Sequence, residues 1–313
     1  MVKLFYPECV ERRRQGNVRL AVATEDFGKP LRQAIQQAGA CEVDGLRLNA
    51  RTEIPSEEFS DTALRQLRLR VEERQMRVAG VLFPSRRPLY EQQNLERRLQ
   101  GIRAAMGQVR KLGTQELLVR CGQIPDPQSE ETVRTKDAPT NAEVDSLANP
   151  FSFAPTELIR KEMTSAQQFH MLAEILNDLA REGNHVGCTL QLQLASFQAD
   201  RVRSLLNQVT SGPIQIVFDP AAVVMSGGQP VKSFRELYAS VGYIRARDAL
   251  RDMDGTGAEV AVGDGVVDWT ELLPTLSEAD YTGWICIERA GGDQRADDVR
   301  RGVEKIRQLI SFS

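Results

Sequence analysis

Several residues able to do chemistry stand at the ends of short apolar runs. Asp219 closes Ile214–Asp219 (IQIVFD), Arg245 and Arg247 lie in Gly242–Asp248 (GYIRARD), and Glu288 lies in Gly283–Arg289 (GWICIER). Side chains alternate along a strand, so one parity faces covering helices and the other faces the opposite side. With Ile216 and Phe218 facing helices, Gln215, Val217 and Asp219 face inward; the same reading turns Tyr243, Arg245 and Arg247, and then Trp284, Cys286 and Glu288, inward. Leu190, Leu192 and Leu194 in Thr189–Ala195 leave Gln191 and Gln193 pointing in, joined by Arg47 and Asn49 from Gly45–Ala50 and Arg120 from Glu116–Gly122. Carboxylates can move protons, and guanidinium groups bind anions or pair with carboxylates through charge-assisted hydrogen bonds. Buried together, such groups must be mutually paired or wet. Mutual pairing alone accounts better for Arg47, lower in its strand; for Asp219, Arg245 and Glu288 at strand ends a functional role is favoured.

The elements that must position them repeat one pattern, a short apolar run followed by a longer amphipathic segment. The remaining strand candidates are Val18–Thr24 and Arg77–Pro84, making eight with Glu116–Gly122 and those above. Helical periodicity runs through Asp61–Gln75, Leu95–Leu112, Ser165–Arg181 and Asp297–Ile310. Eight strand–helix units in 313 residues fit a closed (β/α)8 barrel, an α/β fold whose sites lie at the C-terminal ends of the strands. The absence of Gly-x-Gly-x-x-Gly after the first strand argues against a dinucleotide-binding sheet. Thr24, Glu25 and Asp26 end that strand beside the mouth, and one of them could instead cap the following helix. The expected organisation is an N-terminal extension over residues 1–17 and one barrel domain over 18–313, with a long polar loop at about 124–164 that should emerge beside the site.

Composition narrows the function. With 41% hydrophobic and 27% charged residues, the chain has the make-up of a soluble globular protein. A net charge of -3 gives no case for nucleic acid, and no run of apolar residues is long enough for a membrane. Met1–Asn17 lacks the apolar core of a secretory signal. The five cysteines are scattered, indicating neither a disulfide framework nor a cysteine zinc site, and a cytoplasmic protein is the default expectation.

Phe218-Asp219-Pro220-Ala221 with Met225-Ser226-Gly227-Gly228-Gln229-Pro230-Val231 opens an ordered set of motifs. That set resembles the xylose isomerase-like, AP-endonuclease-2 type family of sugar isomerases and epimerases, where this stretch looks like the sixth strand end and helix start. Tyr243-Ile244-Arg245-Ala246-Arg247-Asp248 stands where the family usually has His-x-His-x-Lys-Asp. Glu259-Val260 through Trp269, and Gly283 to Glu288, resemble the following loop and last strand; Ala21–Thr24 and Gly45–Arg51 fit in the first half.

The resemblance implies one divalent metal (Mg, Mn, Zn or Co) held by Glu, Asp, His or Gln, and Glu from strands five to eight. Those positions carry Gln193, Asp219, Arg245 and Glu288, and the histidine often found after the strand-six Asp is represented by Ala222. Glutamine is a weaker ligand than a carboxylate, and arginine has no lone pair to give. The expectation is therefore no bound metal and no other cofactor, with Arg245 supplying the cation's charge. His170 and His185 lie elsewhere.

Whether the chain is an enzyme is left open at this point. In one account it acts on a sugar or sugar phosphate as an isomerase or epimerase, with Glu288, Asp219 and Gln193 at the reacting centre. Arg245, Arg247 and Arg120 would bind phosphate or carboxylate, with Asn49, Asp248 and Glu259 completing the substrate shell. In the other it is a non-catalytic or divergent barrel that binds a small anionic ligand or a partner. Asp248 is expected to orient Arg247 or Arg251, and Gly263 and Gly265 to serve loop geometry. Arg86 and Arg87 read as surface arginines, and Trp269 and Trp284 as packing residues. The family often dimerises, and the N-terminal arm could contribute to a homodimer.

Overall fold

The computed structural model describes residues 18–131, 163–252 and 255–312. The extension 1–17 and most of the 124–164 loop lie outside the described residues. Eight parallel strands close a barrel: β1 (Arg19–Ala23), β2 (Gly45–Asn49), β3 (Arg77–Phe83), β4 (Glu116–Gly122), β5 (Thr189–Leu194), β6 (Ile214–Phe218), β7 (Val241–Ala246) and β10 (Trp284–Ile287). Closure comes from β1 pairing with β10, Ala21 opposite Cys286. Outside the barrel, β8 (Asp248–Arg251) and β9 (Gly257–Val260) form an antiparallel pair.

The helices are α1 (Leu31–Ala40), α2 (Asp61–Glu72), α3 (Leu95–Val109), α4 (Ser165–Val186), α5 (Ala199–Gln208), α6 (Pro220–Met225), α7 (Pro230–Leu237), α8 (Trp269–Glu278) and α9 (Arg295–Phe312). Side chains cap several of their starts. Ser60 accepts from the Ala63 amide before α2, and Thr164 and Gln167 form a reciprocal capping box at α4. Both ends of the long connection are tied to that helix, since the Ser165 hydroxyl accepts from the Asp126 amide at 2.7 Å and Ala166 donates to the Ser129 carbonyl. No helix among the described residues is long and apolar enough to cross a membrane.

The main core lies between barrel and helices, where Leu46, Leu48, Leu190, Leu192, Ile216, Phe218, Ile244 and Ile285 meet the helical stripes. A second apolar cluster, Ala21, Ala23, Leu118, Val217, Tyr243, Trp284 and Cys286 among it, fills the barrel's waist. Below it, Gln191 donates to Glu116 at 2.6 Å and to Gln215 at 3.0 Å. Gly242 makes room for these amides, because a Cβ there would lie 2.1 Å from the Gln215 oxygen. The apolar waist seals the bottom, so the polar residues above it open only toward the C-terminal face.

The seventh barrel strand is shorter than its sequence pattern suggests. It ends at Ala246, and Asp248 starts β8 instead. The physical reason is the Asp248 side chain, which gathers the amides of Ala249, Gly263 and Val267 and the Trp269 indole N–H, drawing the chain outward.

Candidate functional site at the barrel mouth

The upper layer of the barrel is a chain of ion pairs. Arg245, from the C-terminal half of β7, spans the two carboxylates of its neighbouring strands. Its Nη2 lies 2.6 Å from Glu288 Oε2 and its Nε donates to the same oxygen at 2.7 Å, while Nη1 reaches Asp219 Oδ2 at 3.3 Å. Arg247 continues the row, with Nη1 donating to Asp219 Oδ2 at 2.7 Å and Nε and Nη2 forming a two-toothed pair with Glu259 at 3.2 and 2.9 Å. Asp219 also caps α6, its Oδ1 accepting from the Ala222 amide at 3.1 Å. One aspartate thus fixes a helix start with one oxygen and two guanidinium groups with the other.

Glu288 is closed from the other side by Arg47, whose Nε donates to Oε1 at 2.9 Å. Both carboxylate oxygens are therefore occupied in a residue only 3% exposed. Burial alone would raise the Glu288 pKa; Arg245 and Arg47 outweigh it and bring the group down to about 2. Held low and with both oxygens engaged, Glu288 serves in this structure as the counter-charge of Arg245 and Arg47. Arg47 is 1% exposed and also donates to Glu25 Oε1 at 2.8 Å. Its pairing is the structural role expected of it, and it places Arg47 in direct contact with Glu288.

Glu25 is partly open to solvent, its side chain 31% exposed. It accepts from Arg47 and, at 2.5 Å, from the Asn49 amide; burial raises its pKa, and Arg47 and Asn49 more than offset this to leave it lowered. Asn49 is committed elsewhere as well, its oxygen accepting from the Arg51 and Thr52 amides. Neighbouring Asp26 is 4% exposed and accepts from the Arg289 amide at 2.8 Å. Burial and the nearby Glu288 charge push its pKa up to about 7. The sequence puts Glu25 and Asp26 beside the mouth without separating a site residue from a helix cap. The same alternation that turns Ala21 and Ala23 inward, continued past β1, singles out Glu25.

Two further residues, near the C-terminal ends of β4 and β5, have no fixed partners among the described residues. Gln193 sits in register with Arg120 across β4 and β5, and its Nε2 is buried with no acceptor. Arg120 is exposed and makes no hydrogen bond or ion pair there. Asp248, by contrast, does not reach the mouth. It is fully buried, with both oxygens taken by four donors of the 249–269 loop, and its carboxylate pairs with neither Arg247 nor Arg251. It is corrected from a substrate residue to the hub of that loop. Gly265 is required there, since a Cβ would stand 2.0 Å from Asp248 Oδ1. Glu259 likewise is spent on Arg247 and on the Ala290 amide, which it accepts at 2.9 Å. His170 and His185 lie exposed on α4, outside the barrel.

A family profile described as a xylose isomerase-like TIM barrel matches residues 33–309. Among curated proteins, an inosose dehydratase of Bacillus cereus is 20% identical over 146 residues, 41% of this chain and 49% of that protein. The aligned stretch thus spans about half the length of such relatives. Among solved structures, a xylose isomerase domain protein from Planctomyces limnophilus superposes with a TM-score of 0.70 at 18% identity, covering 89% of this chain and 94% of the other. A D-tagatose 3-epimerase-like protein gives a TM-score of 0.68 at 14% identity, covering 94% and 98%. At these identities the likeness establishes the fold.

Proposed function

The chain belongs to the xylose isomerase-like TIM barrel family, and we propose that it acts on a sugar or a related polyhydroxy ketone, as an epimerase, isomerase or dehydratase, with Arg245 in place of the family's divalent cation. The observation that carries this reading is the Arg245 guanidinium, which bridges Asp219 and Glu288 at the two family ligand positions that keep their carboxylates. A cation does not fit the four positions as they stand. The guanidinium lies between the two carboxylates, has no lone pair to offer, and is neutralised by the very oxygens a metal would need. The neighbouring names, inosose dehydratase and D-tagatose 3-epimerase-like protein, support a keto-sugar class of substrate.

The chain's own residues supply polarisation and orientation. A guanidinium carries five N–H groups, so hydrogens on the terminal nitrogens of Arg245 remain beyond those given to Asp219 and Glu288. Directed at a substrate carbonyl, they would stabilise the negative charge that develops on oxygen when an adjacent C–H bond ionises. The unpaired Gln193 amide and the exposed Arg120, near the C-terminal ends of their strands, would suit a hydroxyl and an anionic substituent respectively. Glu25, its side chain 31% exposed beside the opening, would be the carboxylate that accepts a proton from substrate.

Metal analysis of the purified protein by mass spectrometry, beside an Arg245→His/Gln193→Glu double variant, tests the arginine. We expect sub-stoichiometric metal in the wild type and about one equivalent in the variant. Stoichiometric metal in the wild type overturns the replacement. Proton exchange at carbons next to the carbonyl, followed by NMR in deuterated water with D-fructose, D-tagatose and inosose in the presence of a chelator, tests the chemistry. No exchange in any of them, with binding intact, leaves a binding protein rather than an enzyme.

A further inference from the structure

Outside the barrel wall, between α3 and the loops that leave β2 and β3, lies a second cavity of about 810 Å³. Its lining residues include Arg51, Arg86, Arg87, Arg97 and Arg98 against a single acidic residue, Glu57. Phe83 and Gly101 form its back wall, and Gln108 ties the floor by donating to the Ile54 carbonyl at 3.0 Å. Phe83 points away from the barrel axis, so the cavity is separate from the mouth that holds Arg245.

Arg98 is what makes this more than a basic surface. It occupies an apolar position of α3, flanked by Leu95, Leu99 and Ile102, and is 6% exposed. Its Nη2 donates to the Glu91 carbonyl, but Nε and Nη1 are buried with no acceptor among the described residues. Burial and the adjacent Arg87 and Arg51 charges all lower its pKa. The arginines buried at the barrel mouth each have carboxylates: Arg47 has Glu288 and Glu25, Arg245 has Glu288 and Asp219, Arg247 has Asp219 and Glu259. A buried cation without a counter-ion is costly, and here four more arginines line the same space. Of the five, Arg87 is offset by Glu91. Arg51 is held over the Phe83 ring at 4.6 Å, which orients its guanidinium at the rim. Arg97 and Arg98 lie in the first turn of α3, where the helix end also favours negative charge.

We propose that this cavity is an oxyanion site, built to take a phosphate-bearing small molecule whose phosphoryl group supplies the counter-charge that Arg98 lacks. The volume suits a ligand larger than the ion itself, and forked guanidinium groups match phosphate oxygens. The site does not depend on what the barrel mouth does.

Calorimetric titration of the full chain at fixed ionic strength with inorganic phosphate, pyrophosphate and phenyl phosphate, an ester with no sugar for the barrel mouth to hold, tests it. We expect saturable binding, tightest for the phosphate ester or pyrophosphate. Arg98→Met should abolish it, and Arg51→Ala/Arg97→Ala, a double change at exposed positions that leaves folding intact, should weaken it at least tenfold. Arg120→Ala, at the barrel mouth, should leave it unchanged. Arg98→Met should also melt no lower than wild type without ligand, because it removes an uncompensated buried charge, while losing the ligand-induced rise in Tm. Binding equal for all three anions would overturn the larger ligand and leave a site for free phosphate. Binding lost in Arg120→Ala and retained in the Arg98 and Arg51/Arg97 variants moves the anion to the mouth and overturns the proposal. So does the absence of saturable binding by any of the three probes.

Discussion

At the scale of single residues, the mouth is governed by how each charge is spent. Arg245 is nearly enclosed and its guanidinium answers two carboxylates at once. Arg245→Met should therefore cost about 3 kcal/mol in urea unfolding, because it strips Asp219 and Glu288 of a shared partner while they stay buried. A loss below about 0.5 kcal/mol would show the bridge is not formed in solution. Arg120 is the contrasting case, an exposed strand arginine with no partner among the described residues. Arg120→Ala should shift stability by no more than about 0.5 kcal/mol and yet weaken binding of an anionic sugar, a separation that equilibrium unfolding and ligand titration on the same sample can read. Alternation along the strands was enough to place Arg245, Arg247, Asp219, Gln193 and Glu288 on the inner side, since parity is a local property of extended backbone. It could not say that Glu288 is clasped from both sides, because Arg47 comes from a strand 241 residues away in sequence.

At the scale of elements, the loop between β7 and α8 depends on one buried aspartate. Asp248 holds three amides and an indole, so Asp248→Ala should destabilise the protein by about 3 kcal/mol and raise protease cleavage between residues 249 and 268. Cleavage unchanged from wild type would mean the loop is held by something else. Gly265→Ala should have a similar effect, since its Cβ would collide with the same carboxylate. The helix starts followed apolar periodicity, as at α2 and α4, while their ends shifted to Glu72 and Val186, and the seventh strand's end failed where one side chain's tertiary partners redirect the chain, as at Asp248. Arg98 marks the other failure. A charged residue in an apolar helical stripe was a legible anomaly, but only the packing of α3 against the loops after β2 and β3 reveals the cavity beside it.

At the scale of the whole molecule, two carboxyl groups on adjacent strand ends give stability opposite pH dependences. Glu288 titrates at about 2 when folded, below its ordinary 4.5. Its contribution is present above the unfolded value and is lost as pH falls from 4.5 toward about 2. Asp26 is raised from 3.8 to about 7. It binds its proton more tightly when folded, so stability declines as pH rises between those values. Thermal unfolding should therefore give a maximum in the weakly acidic range. Asp26→Asn should flatten the decline toward neutral pH while leaving the acid limb, and an unaltered slope between about pH 4 and pH 7 would contradict the raised Asp26.

The sequence by itself determined the barrel, its eight strands and the inward identity of its polar residues, because hydrophobic periodicity and strand alternation act over a few residues and do not need the fold to be read. The tertiary structure decided how those charges are paired. Which carboxylate each guanidinium meets depends on barrel closure, on strand register and on where loops turn, and those juxtapose residues far apart in the chain. The same reason separates Asp248 from the mouth, brings Glu25 into it, and leaves Arg98 buried without a counter-ion among the described residues.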